Sequence, residues 1–252
     1  LLNAASDAPR PRAIGVSCGG PLDSARGLIL SPPNLPGWDE VPVCEWLNAH
    51  TGAPTFLQND ANACALAEWR YGAGRGCRDM VFLTFGTGMG AGLILGGRLY
   101  EGACGMAGEV GHMRLEPDGP EGYGKRGSFE GFCSGGGLSR LARMQLGREL
   151  SARQLVELAD AGDAGAIAVL ERSADRLGRG LALIVDMLNP ERIVIGSVYA
   201  RARRWFEARM LERLRAEALE ASWRACAVVP AQLGDSIGDV AALTVAWNGL
   251  EG

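Results

Sequence analysis

Asp79–Gly102, DMVFLTFGTGMGAGLILGGRLYEG, carries two apolar runs, Met80–Phe85 and Ala91–Leu95, on either side of GTGMG, with a second turn at Gly96-Gly97. Short apolar runs bounded by glycines predict strand, glycine loop, strand, turn, strand. Gly86–Ala91, GTGMGA, also fits a GxGxxA dinucleotide fingerprint. That fingerprint must open a helix, because the pyrophosphate sits on the helix N-terminus. Here a β-run follows instead. Two readings stay open for the stretch by itself: a plain tight hairpin, or a hairpin loop whose backbone N–H groups, with the Thr87 hydroxyl, hold a phosphate.

The flanks extend the pattern. Upstream, Ala13–Ser17 reads as a buried strand that ends in a Gly-Gly-Pro turn. GLILSPPNLPGWDEVP is a short strand and a Pro-rich loop, and VCEWLNAHTG is a helix closed by glycine. PTFLQND is another strand, running into the helix ANACALAEWRYGAG. Asp60 stands at that junction, where the helix dipole favours a carboxylate, so it is either an N-cap or a catalytic acid or base. Downstream of Gly137 come helices (LSRLARMQLG, SARQLVELADAG, DAGAIAVLERSADRLGRGLALIVDMLNP), the strand RIVIGS, a helix through ARRWFEARMLERLRAEAL, the strand ACAVVPAQLG and a last helix, DVAALTVAWNGL. Strands alternating with helices predict an α/β fold.

Composition excludes several classes. The chain has 252 residues, 47% hydrophobic and 21% charged, which suits one large domain or two lobes of a soluble protein. The net charge of −4 gives no basic footprint for nucleic acid. No run reaches the roughly 18 uncharged apolar residues that span a bilayer. The start, LLNAASDAPRPR, lacks the basic region and apolar core of a signal peptide. Seven scattered cysteines without a CxxC read as reduced thiols of a cytoplasmic protein.

Two motif matches fail on context. GVSCG, Gly15–Gly19, fits the nucleophile elbow GxSxG, but an elbow leads straight into a helix, and here Gly20-Pro21 and a loop follow. A triad would also need His50 or His112 as its base. GPEGYGKR, Gly119–Arg126, nearly fits the P-loop, but Arg126 replaces the magnesium-binding hydroxyl and no apolar strand precedes it. Ala107–Gly137 nonetheless groups Glu109, His112 and Glu130, with Asn59-Asp60 upstream. Carboxylates, an amide and an imidazole suit a polyol, whose hydroxyls both donate and accept.

LQNDANACALAEW, LTFGTGMGAGLILGGRLYEGACGMAGEVGHM, GSFEGFCSGGGL and LNPERIVIGS, in this order and spacing, resemble the ROK family of sugar kinases and repressors, within the actin/hexokinase superfamily. The resemblance covers nearly the whole chain. It implies a two-lobed, actin-like ATPase (ribonuclease H-like) fold with the active site in the interlobe cleft. Residues 1–76 with 238–252 would form the small lobe and 77–237 the large one. The implied activity is ATP-dependent phosphorylation of a hydroxyl on a free hexose or N-acylhexosamine; the alternative is an inactive sugar sensor on the same scaffold. Asp60 would be the general base, and Gly20, Asn59, Glu109, His112 and Glu130 would bind the sugar. Gly86, Thr87 and Gly88 would form a phosphate loop, and Gly196 and Ser197 would lie against the adenosine. ATP and Mg²⁺ are the implied cofactors, and a homodimer the implied assembly.

Two departures from the family pattern stand out. The family's zinc site uses one His and three Cys in CxCGxxGCxE; here EGYGKRGSFE puts Glu121, Tyr123 and Ser128 at the thiolate positions and leaves only His112, so no structural zinc is expected. Hydrogen bonds or packing, with Tyr123 a candidate, are expected to hold the loop instead. The family's opening DxGGT loop, which holds ATP phosphates and a Mg²⁺ ligand, is not in this sequence. That implies a truncated small lobe with an exposed sheet edge.

Overall fold

The computed structural model describes residues 10–251, so the reading of the extreme N-terminus lies outside the described residues. The chain divides into two compact units: residues up to Ala67 together with those from Asp235 onward, and Glu68–Gly234.

The first unit contains β1 (Ile14–Cys18), β2 (Leu22–Asp23), β3 (Leu28–Ile29), α1 (Val43–Thr51), β4 (Thr55–Asn59), the start of α2 (Asp60–Tyr71), and α9 (Ile237–Glu251). β1 and β4 pair in parallel, Ile14 opposite Thr55 and Cys18 opposite Asn59. Their common end therefore sets Gly19-Gly20 beside Asn59-Asp60. β2 and β3 form a small antiparallel pair. α9 lies so close on β1 that a Cβ at Gly15 would sit 1.9 Å from the Ala242 carbonyl oxygen. A Cβ at Gly249 would lie 2.3 Å from the Phe56 ring. α1 ends where Gly52 takes a left-handed conformation, φ 71°, that few other residues tolerate.

The second unit is built on a five-stranded sheet. In chain order its strands are β5 (Met80–Leu83), β6 (Ala91–Leu95), β7 (Arg98–Tyr100), β10 (Arg192–Ile195) and β11 (Ala227–Pro230), arranged β11-β10-β5-β6-β7. β5, β10 and β11 are parallel, whereas β5-β6-β7 form the antiparallel meander read from the glycine spacing. β5 is buried along its whole length, which explains its unbroken apolar run. Between β7 and the helices lie a short hairpin, β8 (Glu121–Gly122) and β9 (Lys125–Arg126), and one helical turn, α3 (Phe129–Phe132).

Four longer helices complete the unit: α4 (Gly135–Leu146), α5 (Ala152–Asp160), α6 (Ala164–Leu188) and α7 (Val198–Glu217), followed by the short α8 (Glu220–Ala225). The starts of α4, α5 and α6 are set by side-chain caps. Ser134 caps α4, Ser151 and Gln154 form a capping box on α5, and Asp163 caps α6. Val81, Leu83, Phe85, Phe129, Phe132, Leu177, Leu181, Ile193, Phe206 and Met210 are fully or almost fully buried in one core. Two glycines of α6 permit its packing. A Cβ at Gly178 would lie 2.3 Å from the Met210 carbonyl oxygen of α7, and one at Gly180 would lie 2.3 Å from the Phe129 ring. Glu68 is fully buried here and accepts the N–H groups of Ala73, Gln232 and Leu233 at 2.7, 2.9 and 2.9 Å.

Candidate functional site

Asp60 begins α2 directly at the end of β4. Asn59 caps that helix, its Oδ1 accepting the Ala61 N–H at 2.9 Å, and the Asp60 carboxylate accepts the same N–H at 2.8 Å. Buried Gln58 fixes the approach: its Oε1 accepts the Asn59 N–H at 2.8 Å and the Asn62 side-chain amide at 3.1 Å. Asp60 reaches solvent, yet the protein around it disfavours its charge and raises its pKa, against the lowering effect of the backbone N–H groups of Ala61 and Asp60. A carboxylate made more basic than usual, oriented by a helix start, is chemically suited to receive a proton. Gly20 stands beside it: a Cβ there would come 3.6 Å from the Asn59 side-chain nitrogen. Sequence reasoning missed Gln58. Its signal is the polar set Gln58, Asn59, Asp60 and Asn62 at the end of an apolar strand.

In the second unit, the residues from Gly86 to Gly90 form the loop of the β5–β6 hairpin. Thr84 closes it, its N–H donating to the Gly90 carbonyl at 3.0 Å and its hydroxyl accepting the Gly90 N–H at 2.9 Å, and Gly86 N–H bonds the Gly88 carbonyl at 3.1 Å. The loop displays Thr87 to solvent. α4 then starts against it: Gly135 and Gly136 donate to the carbonyls of Gly86 and Thr87 at 2.7 and 3.3 Å, and Gly137 donates to Ser134. The first amides of α4 are thus used in holding the loop. On its other side, Gly196 N–H bonds Leu83 and Val198 N–H bonds Phe85. This brings Ser197, with φ 54°, close enough that a Cβ on Gly86 would lie 3.7 Å from its hydroxyl. Gly86, Thr87, Gly88, Gly196 and Ser197 therefore share one region of the second unit.

Glu130 meets the same loop. It is buried, and its carboxylate accepts the Met89 N–H at 3.0 Å. Gly88 lets the carboxylate approach closely, since a Cβ there would stand 2.8 Å from it and displace it. Burial pushes the Glu130 pKa up; the Met89 bond and the charges of Arg140 and His112 oppose this, and Glu109 adds to it. Glu109 and His112 flank a single 3₁₀ turn, Val110–His112, whose Gly111 presses on the Met89 carbonyl and the Glu130 stem. Glu109, His112 and Glu130 are therefore neighbours, with Glu109 and His112 exposed.

Several contacts hold the β8–β9 hairpin. Tyr123 takes φ 51° at its tip and stacks on His112, with ring centroids 4.5 Å apart at 20°. Lys125 donates to the His112 carbonyl at 2.7 Å, and Arg126 pairs with Asp118 at 2.6 Å. Ser128 caps α3 and donates to the Gly122 carbonyl at 3.3 Å. Among the described residues no group of three or more His, Cys, Asp or Glu could hold a metal ion. The hairpin form of Gly119–Arg126 also removes the P-loop reading. Ser17 lies inside β1 and the chain runs on to β2, so no strand-to-helix elbow exists.

Comparison with known proteins bears on what such a molecule is. A ROK hexokinase structure from Thermus thermophilus superposes with a TM-score of 0.86 at 37% identity, over 95% of this chain and 80% of that one. A Streptomyces griseus ROK glucokinase, solved with glucose and AMPPNP, gives 0.82 at 30%, over 98% and 85%. These likenesses define the class: the α/β, actin-like ATPase fold of the ROK sugar kinases. The sequence profile described as the ROK family matches residues 1–248, and a glucokinase from Thermotoga maritima is 34% identical over 212 residues, 78% of this chain and 67% of its own length. The chain belongs to the ROK family.

Proposed function

We propose that this protein is a kinase that transfers the terminal phosphoryl group of ATP, with Mg²⁺, to a hydroxyl of a free hexose or N-acylhexosamine. The observation that carries the reading is Asp60: a carboxylate of raised pKa, fixed at the start of α2 beside Asn59. Membership of a family whose relatives include proteins named glucokinase and N-acetylmannosamine kinase supports it.

Asp60 accepts the proton of the attacking hydroxyl as its oxygen bonds to phosphorus. Asn59, Gly20, Glu109, His112 and Glu130 are the residues assigned to the remaining sugar hydroxyls. These side chains offer both donors and acceptors, and this is what a polyol needs. Gly86, Thr87 and Gly88 hold the phosphates: the absence of side chains at two of three positions leaves backbone and hydroxyl accessible. Gly196 and Ser197, set against Gly86, receive the adenosine side. When bound, ATP with Mg²⁺ supplies the phosphoryl group and part of the charge neutralisation.

Three further assignments accompany this reading. The Tyr123–His112 stack, Lys125 and Ser128 hold the hairpin without zinc. Leu183 and Met187, one turn apart on α6, are exposed and adjoin exposed Leu219, whose N–H bonds Asp186 at 2.9 Å; this apolar face supports a homodimer. All seven cysteines are free, which supports a reducing cytoplasmic setting, and no helix among the described residues is long and apolar enough to cross a membrane.

A coupled ADP-release assay of the full-length protein with ATP, Mg²⁺ and a panel of hexoses and N-acetylhexosamines tests the function. We expect turnover with one sugar, and Asp60→Asn to lower kcat by about 10²–10⁴-fold while that sugar still raises the melting temperature. No turnover with any sugar, while one still raises the melting temperature, would mean a binding protein on a kinase scaffold.

A further inference from the structure

A cavity of about 530 Å³ opens beside Glu130, walled by Tyr123, Glu130, Arg126, Arg140 and Arg143. Its three guanidiniums are not equivalent. Arg126 pairs with Asp118 at 2.6 Å and Arg143 with Glu149 at 3.2 Å. Arg140 has no carboxylate within ion-pair distance among the described residues, although its charge is felt at Glu130.

Arg140 is also aimed. Side chains on a helix lean toward its N-terminus, over the residue four positions earlier. Here that residue is Gly136, and the two terminal nitrogens of Arg140 stand 3.5 and 3.6 Å from where its Cβ would be. Gly136 is itself bonded to the Thr87 carbonyl. The guanidinium therefore lies one residue from the Gly86–Gly88 loop, next to buried Glu130. Helix electrostatics do not explain that position, since the N-terminal end of a helix repels cations. Arg140 is exposed, without an ion pair among the described residues, lies over the first turn of α4 and faces a cavity, so it is open to an anionic partner.

We propose that Arg140 is a phosphate-contacting residue, which binds the anionic oxygens of the nucleotide's phosphate chain presented at Gly86–Gly88. This rests on the kinase reading for its place in the reaction, but its anion-binding content stands separately. A planar guanidinium matches two phosphate oxygens at once, and an ammonium does not.

The test compares wild type with Arg140→Ala and Arg140→Lys, in turnover and in equilibrium binding of Mg·ATP and of Mg-tripolyphosphate. Arg140→Ala is expected to weaken both ligands by about tenfold or more, to raise KM for ATP and lower kcat, and to leave sugar affinity and melting temperature unchanged. Arg140→Lys should recover part of the loss, and added guanidinium ion should restore part of the activity of Arg140→Ala. Unchanged binding of both ligands in Arg140→Ala overturns the proposal, as does a loss confined to sugar affinity. A wild type that turns over no sugar, yet binds Mg-tripolyphosphate through Arg140, defeats the kinase reading and keeps this one. A wild type that binds neither phosphate ligand defeats this one.

Discussion

Asp60 meets two opposed demands. To take a proton it must be a base, and the protein around it makes it more basic by disfavouring its charge. The same effect opposes folding. With a folded pKa above the unfolded one, the folded state holds its proton longer, so stability falls as pH rises from the ordinary carboxylate range near 3.9 to the raised value, and the cost persists above it. Asp60→Asn is therefore expected to raise the melting temperature at pH 7 and to have no effect at a pH below both values; equal melting temperatures at pH 7 would mean that burial does not disfavour the charge. Catalysis runs the other way, with kcat/KM falling on acidification at a midpoint above that of an ordinary aspartate. Tyr123 is the second residue whose role is local. Its stack on His112 is worth about 1 kcal/mol, so Tyr123→Ala should lower Tm by roughly 2–4 °C and raise the sugar KM. EDTA treatment of the wild type should leave Tm unmoved, whereas a fall would mean that a metal, not the stack, fastens the hairpin.

Between elements, one buried carboxylate adds ionic contacts to the apolar packing of α6 on α7. Asp175 of α6 accepts Arg213 and Arg209 of α7 at 2.9 and 2.7 Å and also meets Arg176, which reaches Glu116 before the β8–β9 hairpin. Burial by itself would raise the Asp175 pKa, but the guanidiniums of Arg213, Arg176 and Arg209 hold it below the usual range. A depressed folded pKa gives stability that is present above the unfolded pKa and lost as pH falls through the folded one. Asp175→Asn should cost about 1–3 kcal/mol near neutrality, because it removes the charge-assisted bonds of three half-buried guanidiniums, and should flatten the acid limb of the stability curve. Urea unfolding from pH 3 to 7 reads both effects. The helices themselves were legible in the sequence, because Ser134, Ser151 and Asp163 announce their starts. α8 was not: six residues after a long helix carry too little periodicity to separate from it. The β8–β9 hairpin was also hidden, since two-residue strands held by Tyr123, Lys125 and Arg126 leave no alternation to read.

At the level of the molecule, the exposed apolar face of Leu183, Met187 and Leu219 is too large a liability for a lone surface residue set to explain. Met187→Asp places a charge at its centre. Light scattering should show a dimeric wild type and a variant shifted to monomer, with sugar phosphorylation per chain largely kept. A wild type that is monomeric at micromolar concentration would remove the dimer assignment. The family resemblance implies a boundary after Gly76; the compact units of the structure divide inside α2, between Ala67 and Glu68. A continuous helix carries no sequence mark where its packing partners change.

The sequence by itself determined the α/β class, the hairpin around Gly86–Gly88, and the order of motifs that identifies the family. These are properties of local spacing, and glycines, caps and apolar runs write them into the chain directly. It also supplied Asp60, whose place at a strand-to-helix junction needs no long-range contact to be seen. Only the tertiary structure decided which polar residues meet: Glu130 against Gly88 and the Met89 amide, Tyr123 on His112, Ser197 beside Gly86, Arg140 without an ion pair beside the loop. Those encounters join residues from 11 positions apart, as between His112 and Tyr123, to 111, as between Gly86 and Ser197. Charge, burial and hydrogen bonding depend on distance in space, so the chemistry of the site appears only once the chain has folded.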